Sequence, residues 1–147
     1  MHISDLHVDA VRTFLDDPEA HERLVPRLTT ANDLLGYRAM VAATMVELAN
    51  ARLGPTDRAG QITRWVANAR ARLIRDEVDL VLDPAAAEGL LRTVSGLQND
   101  YLEVSEQLRG ETQYLVLALL HQELALDREA LDELLGRARS AAESLED

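Results

Sequence analysis

Lysine and cysteine are both absent from this chain of 147 residues, although fifteen arginines are present. The first absence removes Schiff-base chemistry and the phosphate-gripping lysine of a P-loop. The second removes thiolate nucleophiles, disulfides and cysteine zinc sites. Aromatics are scarce, with one Trp, one Phe and three Tyr. A core built without them falls to Leu, Ala, Val and Ile, small enough to let helices approach closely. No apolar run exceeds Tyr114–Leu120, far short of the ~20 residues that a membrane span needs. The first residues, Met-His-Ile-Ser-Asp, show neither the basic nor the apolar stretch of a secretory leader. The expectation is a cytoplasmic protein. Arginine in place of every lysine, with abundant alanine, matches the codon bias of a GC-rich bacterial genome.

What is present indicates a folded domain. Apolar residues make up 47% of the chain and charged residues 28%, an ordinary balance that argues against disorder. A chain of this length buries roughly 70% of its unfolded surface, enough for a core without staples. The net charge of −11 repels nucleic-acid phosphates and anionic lipid. The charge is unevenly spread: residues 57–82 hold five arginines against four acids, whereas residues 83–147 hold five against fourteen.

The periodicity is helical throughout, and the expected fold is a single all-α domain of about six helices. Ser4 caps a first helix near 5–16 with Leu6, Ala10, Val11, Phe14 and Leu15 inward. Asp17-Pro18 supplies a cap and a first helical residue in two letters. A break is expected at Pro26, which lacks an N–H and disfavours helix at Val25. The spacing of Leu28, Ala31, Leu35, Ala39, Ala42, Val46, Ala49 and Leu53 predicts a long helix near 27–53, with Gly36 marking a close crossing. Gly54-Pro55 stops it.

A second long helix is expected near 57–82, with Ala59, Ile62, Val66, Ala69 and Leu73 inward. Its final stretch, Glu77–Leu82, alternates partly like a strand. A lone strand would need a mate in a second copy, so continued helix with Ile74, Val78, Val81 and Leu82 inward is the favoured reading. Asp83-Pro84 opens another helix, closed by Gly96. A third long helix is expected near 99–125. Its second half, Tyr114–Leu120, is apolar on every side, which predicts a central element or an oligomer seam. Asp127 caps a last helix burying Leu131, Leu134, Ala138, Ala141 and Leu145.

Three constellations carry possible chemistry. Arg64, Asn68, Arg72 and Arg75 share a helix face, with Trp65 beside it. A row of guanidiniums can grip carboxylates or phosphates, and an indole can stack on arginine or a base. The bland alternative is a solvated face with Trp65 in the core. Asp100, Glu103 and Glu106 form an acidic stripe opposite the apolar face of its helix. A di-metal bundle would add Glu-x-x-His pairs, and none occurs. The stripe is therefore expected to face solvent or to meet the arginine row, within one chain or between subunits. His121, with Tyr114, Arg72 and Glu123, could line a pocket as acid/base, donor, anion clamp and orienter. A hydrogen-bonded boundary histidine is the plainer reading.

No catalytic, cofactor or metal motif emerges, so none of those residue classes is assigned. The function expected is a non-catalytic protein–protein interaction module, such as an adaptor, assembly factor or inhibitor. It is expected to self-associate, as a homodimer, with Arg64, Trp65, Arg72 and Arg75 as partner-binding residues. The alternatives are an enzyme or small-ligand binder with a pocket near His121, and nucleic-acid binding through the Arg64/Arg72/Arg75 face, which the overall charge opposes.

Overall fold

A computed structural model describes residues 1–97 and 105–144, and every regular element among them is helical. In chain order these are α1 (Asp5–Asp16), α2 (Pro18–Leu24), a 3-10 turn (Val25–Arg27), α3 (Ala31–Arg52), α4 (Arg58–Arg75), α5 (Pro84–Val94), α6 (Glu106–Leu124) and α7 (Arg128–Ser144). The all-α expectation holds, with seven α-helices rather than about six.

The chain divides into two compact units, Met1–Leu48 with Ala125–Asp147, and Ala49–Leu124. In the first, α1 packs against α2 and α7. Ser4 Oγ accepts from the His7 N–H while His7 Nδ1 accepts from the Ser4 N–H, a reciprocal capping box with histidine in the usual Glu/Gln place. Arg139 of α7 donates to the Ile3 carbonyl and to Asp5, tying the entry of α1 to the last helix. Arg12 reaches from α1 to Asp132 of α7. In the second unit α5 packs against both α4 and α6. Asp83 caps α5 by accepting from the Ala86 N–H, as the Asp-Pro pair predicts. Asp17 and Asp127 act likewise at α2 and α7.

Several expectations are corrected. The helix expected near 57–82 ends at Arg75, and Glu77–Leu82 is neither helix nor strand. The reason is a two-bond stop. Val78 N–H returns to the Leu73 carbonyl and Glu77 N–H to that of Ile74, with Glu77 left-handed at φ 56°. Gly96 makes the same closure after α5, with Leu97 N–H on Arg92 and Gly96 N–H on Thr93. Glutamate thus stands where glycine is the usual choice, and no sequence signal marks the stop.

The inward face of α3 is also different. Leu35 and Ala42 are exposed, whereas Tyr37, Met40, Val41, Thr44, Met45 and Leu48 are buried. Apolar residues lie nearly all round this helix, so several stripes fit the spacing and the sequence alone cannot rank them. The helix itself starts at Ala31, not 27. In α7, Ala142 is buried and Ala141 exposed. The third long helix is described from Glu106 to Leu124; Asp100, Tyr101, Glu103 and Leu145 lie outside the described residues. Within it Val116, Leu117, Leu119 and Leu120 are buried, but Tyr114 and Ala118 are exposed, so the apolar half is not surrounded on every side. No helix among the described residues is long and apolar enough to cross a membrane.

Candidate functional site

The arginine row falls on α4, and the helix sorts it into two kinds of side chain. Ile62, Val66, Ala69 and Leu73 bury one stripe of α4, and Trp65 lies on its flank, only 3% exposed. The indole N–H of Trp65 donates to Glu123 Oε2 at 2.5 Å. Arg72 Nη1 donates to Glu123 Oε1 at 2.9 Å, and Arg52 Nε to Oε2 at 3.0 Å. One carboxylate at the end of α6 therefore gathers donors from the end of α3 and two turns of α4. Two of the four residues expected to bind a partner, Trp65 and Arg72, are thus held on an internal acid. Arg72 Nη2 is buried and makes no hydrogen bond among the described residues.

Arg64 and Arg75 are the outward members. Arg64 lies 3.5 Å from Asp57 and Arg75 3.5 Å from Asp76, both pairs well exposed. Exposed pairs of this kind contribute about 0–1 kcal/mol and leave the guanidiniums available to a competitor.

Of the pocket residues expected around His121, the structure brings Arg72 and Glu123 together and leaves Tyr114 exposed and His121 half-buried on α6. Glu123 is more than an orienter. Both its oxygens accept from guanidinium or indole donors. Glu106 is exposed at the start of α6, and the rest of the acidic stripe lies outside the described residues. Among the described residues no group of three or more His, Asp or Glu is placed to hold a metal ion.

The feature that sequence reasoning misplaced lies just past the end of α4. Ile74, Val78, Val81 and Leu82 were expected inward on a continued helix; Leu82 is buried, but Val78 is exposed, Ile74 is 76% exposed and Val81 91%. Glu77 turns the chain, and Ile74, Leu80 and Val81 share one apolar surface. Arg70, Leu73, Ile74, Leu80, Val81 and Leu82 line a shallow depression of about 130 Å³ within it. Arg75, Asp76, Glu77 and Asp79 are exposed along the same stretch. The available signal was the alternation of acids and aliphatics from Asp76 to Leu82, which fits a half-buried strand as well as it fits this turn.

Comparison of the chain with protein-family models, with curated proteins and with solved structures returns no match.

Proposed function

We propose that this chain is a non-catalytic protein–protein interaction module, and that it self-associates through the surface formed by the end of α4 and the segment after it. One observation carries the reading: Ile74, Val78, Leu80 and Val81 are all exposed within a few residues of each other. Scattered surface aliphatics are ordinary, but a contiguous group is costly to leave in water, at roughly 25 cal/mol per Å². Covering it with a partner recovers that free energy.

The charges around it suit a second copy. Arg70 and Arg75 lie close in sequence to Glu77 and Asp79, so the stretch carries both signs. A two-fold contact sets each patch against itself, and cations of one copy then meet acids of the other. Arg75 and, farther along α4, Arg64 supply the guanidiniums at the surface. Trp65 and Arg72 act from behind, holding α4 through Glu123.

Sedimentation equilibrium across a dilution series tests this. The wild-type chain is expected to shift from dimer toward monomer mass on dilution. Val81→Asp, at a position with almost no contacts to lose, is expected to be monomeric throughout with unchanged helicity. A wild-type chain that stays monomeric at the highest concentration, or a Val81→Asp dimer as tight as wild type, overturns the proposal.

A further inference from the structure

In the unit Met1–Leu48 with Ala125–Asp147, two helix starts are built alike and their closing side chains meet. At α1, Ser4 Oγ accepts the His7 N–H and His7 Nδ1 accepts the Ser4 N–H at 3.1 Å. At α3, Thr30 Oγ1 accepts the Asp33 N–H at 3.0 Å and Asp33 Oδ2 accepts the Thr30 N–H at 3.2 Å. Each is a capping box, whose returning side chain stands three residues after the cap. Those two returning side chains are neighbours in space, with His7 Nε2 3.8 Å from Asp33 Oδ1. The surface proposed for self-association uses neither.

The first box fixes the state of the His7 ring. A ring nitrogen that accepts a hydrogen bond carries no proton, so Nδ1 is bare and the neutral ring holds its proton on Nε2. That Nε2–H is buried and makes no hydrogen bond among the described residues. A second proton can enter only at Nδ1. There it removes the acceptor of the Ser4 N–H, so the α1 box cannot survive it. The same proton makes the ring a cation beside a carboxylate. A charge-assisted bond needs about 2.8 Å, so a shift of about 1 Å from the present 3.8 Å completes it. Asp33 can meet the ring without leaving its own box, because the Thr29 and Thr30 N–H groups are held by Oδ2 and not by Oδ1. Gly36 lies one turn after Asp33 on the same face of α3. A Cβ there would overlap the ring, so the imidazole rests on bare backbone beside its second partner.

The surroundings keep the first arrangement in place at neutral pH. Burial is the largest influence against a charged ring, and attraction to Asp33 opposes it. The other charged groups facing His7 are His2, before α1, and Arg139 of α7, and both disfavour a cation there. Each has an acid of its own: His2 lies 3.9 Å from Glu143, and Arg139 2.9 Å from Asp5. The N-terminal ends of α1 and α3 add partial positive charge.

We propose that the two capping boxes form a proton-operated switch, in which protonation of His7 opens the α1 box at Ser4 and ties the ring to Asp33 of the α3 box. The α3 box persists in both states. Ile3 also stays docked, since it is fully buried and its carbonyl accepts from Arg139. Acid thus exchanges a bond within α1 for one between α1 and α3, without undoing the unit.

An NMR titration of the ¹⁵N-labelled full chain from about pH 7.5 to about 4.5 spans the histidine range and tests this. The His7 ring nitrogens are identified by their loss in His7→Gln. They are expected to report the Nε2–H tautomer at high pH and the imidazolium at low pH. The Ser4 amide is expected to follow the same midpoint. It should lose about fivefold in protection from hydrogen exchange, after allowance for the intrinsic pH dependence of exchange. The Thr30 amide, on the box that persists, is expected to keep its protection. In His7→Gln, Ser4 retains an acceptor and its protection is expected to stay flat, which also separates His7 from the nearby His2. Asp33→Asn keeps an oxygen for Thr29 and Thr30 but removes the charge. Its His7 midpoint is expected to drop by on the order of one pH unit. The comparison of Ser4 with Thr30 needs no variant, so it decides the matter even if Asp33→Asn does not fold. The proposal is overturned if His7 protonates while Ser4 keeps its protection, or if Ser4 and Thr30 lose protection together. It is equally overturned if a folded Asp33→Asn titrates at the wild-type midpoint, or if the chain unfolds before His7 takes up a proton.

Discussion

Each compact unit contains a ring N–H facing a carboxylate, and the two arrangements differ in what lies between them. In the unit Ala49–Leu124 the Trp65 indole donates directly to Glu123 at 2.5 Å, and Arg52 and Arg72 complete the carboxylate. In the other unit the His7 imidazole stops 3.8 Å short of Asp33, with a cavity alongside. The first is a closed structural joint: its charge is matched by two guanidiniums, and its oxygens are occupied. The second is open, with one donor and one acceptor unspent. The same pair of functional groups thus joins helices directly in one place and stands apart in the other. Three measurements sharpen or break that contrast.

The largest effect is expected at Glu123. Glu123→Ala strips the buried indole N–H and the Arg72 guanidinium of their common acceptor. Removing one partner of a part-buried ionic cluster costs about 3 kcal/mol. Asp33→Ala removes an exposed helix-capping acceptor and is expected to cost clearly less. Urea unfolding of the two variants compares them. Equal losses would mean that Glu123 is no more structural than Asp33, and the contrast would fail.

Gly36 gives the next effect. Alanine favours a helix interior by about 1 kcal/mol over glycine, yet here its Cβ would overlap the His7 ring. Displacing a packed ring costs about 1–3 kcal/mol, so Gly36→Ala is expected to lose about 1 kcal/mol net. Gly136 in α7 has nothing within contact range of an added Cβ. Gly136→Ala is therefore expected to gain up to about 1 kcal/mol. Opposite signs in thermal melts would show that the bare face of Gly36 is reserved for His7. A stabilised Gly36→Ala would mean that the ring moves freely and that the cavity wall is not fixed.

How far the sequence disclosed this depends on which signals were local. Ser4, Asp17, Asp83 and Asp127 announce helix starts because a cap needs only a side-chain oxygen and the next turn. Pro26 announces a break for a similarly local reason. The end of α4 was illegible because the left-handed residue is Glu77 and not a glycine. Its closure rests on contacts that pattern reading does not see. Gly36 was recognised as a crossing point, but not what crosses there. His7 gave no signal of its own, because its partner is Ser4, three residues before it. A Ser-x-x-His box lies outside the Ser-x-x-Glu/Gln rule. The arginine row was seen, but not its division into buried and exposed members. That division depends on Glu123, which reaches α4 from far along the chain.

The smallest effect is the pH dependence of His7, and its sign follows from the same geometry. Burial holds the His7 pKa below its ordinary value of 6.5, and attraction to Asp33 offsets this only in part. Backbone N–H donation, from Thr30 above all, holds the Asp33 pKa below 3.8, so that carboxylate stays ionised through the histidine range. The unfolded chain therefore binds a proton at His7 before the folded chain does. Stability is full above about pH 6.5 and declines as the pH falls through that value toward the lower folded pKa. Protonation also turns Nδ1 from acceptor to donor and breaks the bond from Ser4. His7→Gln keeps an acceptor for Ser4 but cannot titrate. Its urea midpoint is expected to fall less than that of wild type between pH 7.5 and 5. Parallel curves would show that the charged ring closes onto Asp33 at no net cost, making the open pair a latent copy of the closed one.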